Sequence, residues 1–133
     1  MKVHALRLQP DQDLKESLRD FVDRENIKAG FMLTAIGSLK QATLRFANQN
    51  IRTVLNDKFE ILAINGTLAT SGIHLHITIA DKQGKFLGGH LEYGCIIYTT
   101  AEIIIGASKE FTFLRTLDDK TGYKELDIVS NLS

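Results

Sequence analysis

The chain has 133 residues, 44% of them apolar and 24% charged, a size and composition that fit one globular domain with no need of disulfide staples. Its 16 basic and 16 acidic side chains cancel, which counts against non-specific nucleic-acid binding, and its single cysteine, Cys95, cannot form a disulfide within the chain. No apolar run reaches the roughly 18 residues of a membrane span and Met1–Asp13 lacks a signal-peptide core, so a cytoplasmic protein without a membrane partner is expected.

Val3 to Leu8 mixes apolar and polar residues in strand fashion and ends at Pro10-Asp11. Asp11 or Asp13 can cap a following helix, and Glu16 stands three residues beyond Asp13 at capping-box spacing. Leu14, Leu18, Phe21 and Val22 then recur on one helical face, with charges on the other, which predicts a helix from Leu14 to Glu25. Gly30 follows shortly after it.

The remainder reads as strands: Phe31–Ile36, Ala42–Phe46, Phe59–Ile64, Ile73–Ala80, Phe86–Leu91, Cys95–Ile105 and Phe111–Leu117. Glycines and polar clusters separate them, among them Gly37-Ser38, Asn48-Gln49-Asn50, Asn65-Gly66 and Ser71-Gly72. One early helix and many strands predict a single α+β domain over residues 1–133, a mainly antiparallel sheet with the helix packed on it. Cys95, within an apolar run, is expected to be a buried, inert thiol.

The chemistry concentrates in Gly72–Asp81. Ile73, Leu75, Ile77 and Ile79 alternate with His74, His76 and Thr78, so the aliphatic side chains face a core and the imidazoles face away from it. Asp81–Lys85 suits a three-residue hairpin loop with Gly84 in the left-handed position. Counting outward from Asp81 opposite Lys85, Ile79 meets Leu87, Thr78 meets Gly88, His76 meets His90 and His74 meets Glu92. Directly opposed residues share a face, so His74, His76, His90 and Glu92 should gather together. A slip of one residue would send His90 to the other side. Three imidazoles can hold zinc or another divalent transition metal and leave a position open, with Glu92 as a fourth ligand or base. A polar pocket or a subunit contact is the plainer use of the same residues. His4 lies on a different strand and is expected to take no part.

The segments Gly37-Ser38-Leu39, Ala42-x-Leu44-Arg45, Glu60 with Gly66-x-Leu68, His74-Leu75-His76, Gly88-Gly89-His90-Leu91 and Phe113-x-Arg115 resemble the plants-and-prokaryotes-conserved domain, over nearly the whole chain. The resemblance implies a standalone prokaryotic member, a mainly antiparallel sheet assembled as a homotrimer, and a metal site on the histidines. It also brings the DNA-binding label of plant relatives that join this domain to AT-hook motifs. This chain contains no Arg-Gly-Arg-Pro hook, and Lys40, Arg45, Arg52 and Lys58 are scattered, so any DNA binding is expected to be weak.

A homotrimeric DNA-binding or regulatory/assembly module, possessing a metal site, is therefore the leading expectation. A metal-dependent enzyme or small-molecule binder is the alternative, in which Arg115 could contact an anion, although a structural salt bridge is the plainer use of that residue. The sequence contains no nucleophile elbow, phosphate loop or dinucleotide fingerprint, so it assigns no reaction.

Overall fold

The structure, a computed structural model, describes residues 1–132. Strand β1 (Lys2–Leu8) leads into helix α1 (Leu14–Arg24), whose N-terminus Asp13 caps by accepting a hydrogen bond from Glu16 N at 3.1 Å. The other Asp13 oxygen accepts from Gly94 N at 2.7 Å, tying the helix start to the chain just before Cys95. Leu14, Leu18, Phe21 and Val22 are buried, as their spacing predicts, and Glu25 is the C-cap rather than the last helical residue.

The strands that follow are β2 (Gly30–Arg45), β3 (Thr53–Leu55), β4 (Phe59–Ala69), β5 (Gly72–Ala80), β6 (Phe86–Leu91), β7 (Ile96–Ala107), β8 (Phe111–Leu117) and β9 (Lys124–Ser130). Two of the expected breaks are absent. Gly37-Ser38 lies inside one strand of 16 residues, and Asn65-Gly66 lies inside β4. The glycines lie within pairing strands rather than at chain reversals: β2 shifts register against β7 on either side of Leu39 and again near Met32, whereas β4 passes Gly66 in regular register with β5.

All pairings within the main sheet are antiparallel and run in the order β1-β7-β2-β4-β5-β6, with β3 alongside β2. The sheet does not stay open. The last two residues of β2 also pair with β6, Leu44 with Leu91 and Arg45 with His90, so β2, β4, β5 and β6 close into a ring. One core cluster joins Leu14, Leu18 and Val22 of α1 to Leu39, Leu44, Ile77, Ile79, Ile103 and Ile105 of the strands.

Strands β8 and β9 form a separate two-stranded sheet. It is anchored near β8 by Phe113 N donating to Lys28 O at 2.8 Å and by Arg115 Nη2 donating to Thr67 Oγ1 at 2.9 Å. Leu117, Tyr123 and Ile128 on this hairpin are exposed. β9 falls outside the sequence expectation, although Leu126 and Ile128 alternate with Glu125 and Asp127 as a strand requires. Among the described residues no helix is long and apolar enough to cross a membrane.

Candidate metal centre

The β5–β6 hairpin adopts the register counted from its turn. Asp81 N donates to Lys85 O at 2.8 Å, Gly84 has φ of 78°, and the ladder runs Ile79–Leu87, Thr78–Gly88, Ile77–Gly89 and His76–His90. The Asp81 carboxylate accepts from Gln83 N and Lys85 N and so stiffens the loop that sets this register.

Leu75, Ile77 and Ile79 are buried, which turns His74 and His76 outward. Pairing on both sides of the hairpin then builds a row across four strands: Arg45 beside His90, His90 beside His76, and His76 beside Asn65. His74 sits one strand repeat along, opposite Thr67.

Two glycines let the strands approach this closely. A Cβ on Gly66 would stand 2.1 Å from the His74 carbonyl oxygen, and one on Gly89 would stand 2.8 Å from the Arg45 carbonyl oxygen. Neither neighbour is a flexible side-chain end; both are backbone of the strands that carry the site.

His74, His76 and His90 converge, with one ligand nitrogen from each lying within 4.8 Å of the others. The His76 and His90 rings are 4.4 Å apart edge to face, His74 stacks on His90 at 5.6 Å, and His74 meets His76 at 5.2 Å. Tetrahedral zinc with its usual bond lengths spaces ligand nitrogens roughly 3.4 Å apart, a spacing inside the 4.8 Å that bounds these three. Burial, helped by the Arg115 charge, lowers the pKa of His74; burial, helped by Arg45, lowers that of His90. Both effects favour the neutral imidazole that coordinates a metal.

Glu92 lies just past the last residue of β6, and the β5–β6 ladder ends at His76–His90, so the expected His74–Glu92 pair is not part of it. At this point β6 leaves β5 for β2, with Glu92 N donating to Thr43 O. The Glu92 carboxylate is engaged by Arg45 at 3.4 Å and Lys15 at 3.9 Å.

His4 lies away from this group, its ring 5.4 Å from that of Phe21. Cys95 is fully buried and bonded to Thr43, and burial raises its pKa to about 11, which leaves an inert thiol. Of the four basic residues weighed as a DNA patch, Arg45 alone joins the histidine face. Lys40 pairs with Asp11, Lys58 lies over the Tyr98 ring, and Arg52 is on the exposed segment before β3.

Beside the histidines opens a cavity of about 730 Å³. His74 and His90 form one wall; Arg45, Arg115, Lys124 and the Asn48–Asn50 loop form others. The sequence offered Arg115 as an anion contact second to a structural salt bridge; among the described residues it has no carboxylate within salt-bridge distance, and Arg45 and Lys124, which the sequence did not place here, line the cavity with it. Arg45 reaches the site through closure of the ring, and Lys124 through β9.

Comparison with known proteins places the chain in context. The profile of the Plants and Prokaryotes Conserved (PCC) domain matches residues 1–109. Phe113-x-Arg115 lies beyond that span. The bifunctional protein GlmU of Synechococcus sp. (strain JA-3-3Ab) is 51% identical over 128 residues, which are 96% of this chain but 21% of that protein. The chain thus spans about a fifth of the length of the curated relatives it matches. A hypothetical protein from Salmonella enterica is 40% identical with a TM-score of 0.96, over 98% of this chain and 95% of that one. The metal-containing protein AF0104 from Archaeoglobus fulgidus is 24% identical with a TM-score of 0.80, over 96% and 94% of the two chains. A protein from Bacteroides thetaiotaomicron, provisionally described as DNA-binding, is 23% identical with a TM-score of 0.83, over 94% and 91%.

Proposed function

Because the chain belongs to the Plants and Prokaryotes Conserved domain family, we propose that it is a regulatory or assembly module whose His74, His76 and His90 hold one divalent transition metal, zinc before others. The observation that carries this reading is the convergence of three ligand nitrogens within 4.8 Å on the β5–β6 hairpin. Neutral imidazoles suit zinc, copper, iron and nickel, and three of them leave a coordination position for a further ligand. The bound ion would supply Lewis acidity and charge at that position. The chain's own part is to keep two imidazoles neutral and to set the three nitrogens by strand register. The name of the Archaeoglobus relative, a metal-containing protein of the same fold, supports the reading.

The family resemblance also supports a homotrimer, and the exposed Leu117, Tyr123 and Ile128 of the β8–β9 hairpin supply apolar surface for contact between copies. For DNA the support is the provisional description of the Bacteroides protein. Zero net charge and the dispersal of Lys40, Arg52 and Lys58 make such binding weak and readily lost with salt. A metal-dependent enzyme or small-molecule binder is the second reading, favoured by the cavity that opens onto His74 and His90.

Competition for zinc against a chromophoric chelator tests the metal assignment. The proposal expects one ion per chain, bound by the wild type and lost when the three histidines become alanine. Equal uptake by both proteins would refute it.

A further inference from the structure

We propose that the cavity beside the histidines receives a small organic anion, held by Arg115 with Arg45 and Lys124, and presents one of its oxygens to the metal. This rests on the metal reading above and adds to it the chemical class of the ligand.

The argument begins with the charges that face the cavity. Arg45, Arg115 and Lys124 line it against one carboxylate, that of Glu125. Arg45 is balanced by Glu92 behind it, at 3.4 Å. Arg115 is half-buried and, among the described residues, has no carboxylate within salt-bridge distance; its Nη2 donates to Thr67 Oγ1. That bond fixes the guanidinium beside His74, since Thr67 pairs with His74, and leaves its other donors free to meet a ligand. A planar guanidinium matches a carboxylate or phosphate bidentately.

The two arginines neighbour different members of the triad. Arg45 neighbours His90 across the β2–β6 closure, whereas Arg115 arrives from β8 next to His74. An anion gripped there lies within reach of the coordination position that three histidines leave open. The cavity, at about 730 Å³, falls in the range of small-molecule sites and accommodates more than a lone inorganic ion. Its Asn48–Asn50 wall adds amide groups and Ile73 an apolar surface. The concave shape, and the pairing of Lys40 with Asp11 and the stacking of Lys58 on Tyr98 elsewhere, favour a small molecule over a nucleic-acid backbone.

Arg115, Tyr123, Lys124 and Glu125 lie past residue 109, where the family profile ends. This side of the cavity is therefore supplied by the β8–β9 hairpin and not by the matched domain.

Calorimetry on the full chain, zinc-loaded and metal-free, tests the proposal with malonate, inorganic phosphate and a short DNA duplex as probes. Malonate or phosphate should bind the zinc-loaded protein at millimolar concentration or below, and the stronger of the two identifies the head group. Arg115→Gln should weaken that binding at least tenfold with unchanged zinc content, and Arg115→Lys should weaken it less. If Arg115→Gln fails to fold, Lys124→Gln and Arg115→Lys carry the test, each with an expected loss of several-fold. The proposal falls if neither anion binds the wild type, if the folded variants bind as the wild type does, or if the duplex binds through Arg115 without competition from either anion. Arg115-dependent binding of malonate to a protein that takes up no zinc would overturn the metal reading and leave the anion site standing.

Discussion

Three imidazoles meet here because two belong to alternate positions of β5 and the third is their cross-strand neighbour on β6. Loss of a single metal ligand should cost no less than loss of an outer partner, which typically weakens binding ten- to a hundredfold. His74→Ala, His76→Ala and His90→Ala are each expected to weaken zinc binding by about a hundredfold or more in a chelator competition. Thermal melts of the same variants should show losses under about 1 kcal/mol in the metal-free protein, since the buried Leu75, Ile77 and Ile79 are untouched. His4→Ala should leave zinc content unchanged. The pKa values of His74 and His90 are lowered by burial first and by a neighbouring arginine second. In the unfolded chain both groups regain ordinary values near 6.5, so on acidification the unfolded chain takes up protons first. Stability of the metal-free protein is therefore fully present above about pH 6.5 and falls as pH drops through the lower folded-state values. Urea titrations between about pH 8 and pH 5 should show this decline, and the His74→Ala/His90→Ala double variant should flatten it. The histidine cluster was legible in the sequence because it depends on local rules alone, strand alternation and a turn that fixes register. Arg45 was not legible as a member of the site, since its approach to His90 requires β2 and β6, far apart in sequence, to meet.

Strand β2 shows what the same local rules miss. Gly37-Ser38 looks like a break, yet the chain runs on through a register shift and pairs with β7, β4, β3 and β6 along its length. Glycine marks both turns and tight passages between strands, and a single sequence does not separate the two uses. Gly89 is a tight passage of this kind. Gly89→Ala would press a methyl group against the Arg45 carbonyl and force β6 away from β2. The expected outcome is a loss of about 1–3 kcal/mol in urea unfolding, together with weaker zinc binding as His90 is displaced. An unchanged zinc affinity would show that ring closure does not position His90. Helix α1 presents the opposite case, since its start and buried face follow from residues within fifteen positions of one another, and its end lies one residue before the expected Glu25. Leu18→Ala on that face should cost about 2–5 kcal/mol, as for other fully buried leucines.

At the scale of the whole molecule, the apolar strands are covered unevenly. α1 packs on one side of the sheet, while Leu33, Ile36 and Leu62 of the main sheet and Leu117 and Ile128 of the hairpin remain exposed. Assembly of like chains would cover such surface, and zero net charge offers little repulsion against it. Light scattering at micromolar concentration should return a trimer, and Leu117→Glu with Ile128→Glu should shift it toward monomer; a wild-type monomer would remove the assembly proposal. The hairpin that carries those residues also carries Arg115 and Lys124 of the cavity beside the histidines. The central claim remains the metal centre itself. Elemental analysis of untagged protein purified without chelator tests it most directly. The account predicts close to one transition-metal ion per chain and its disappearance from the His74→Ala/His76→Ala/His90→Ala variant, whereas undiminished metal in that folded variant, or no uptake of zinc by the wild type, would contradict it.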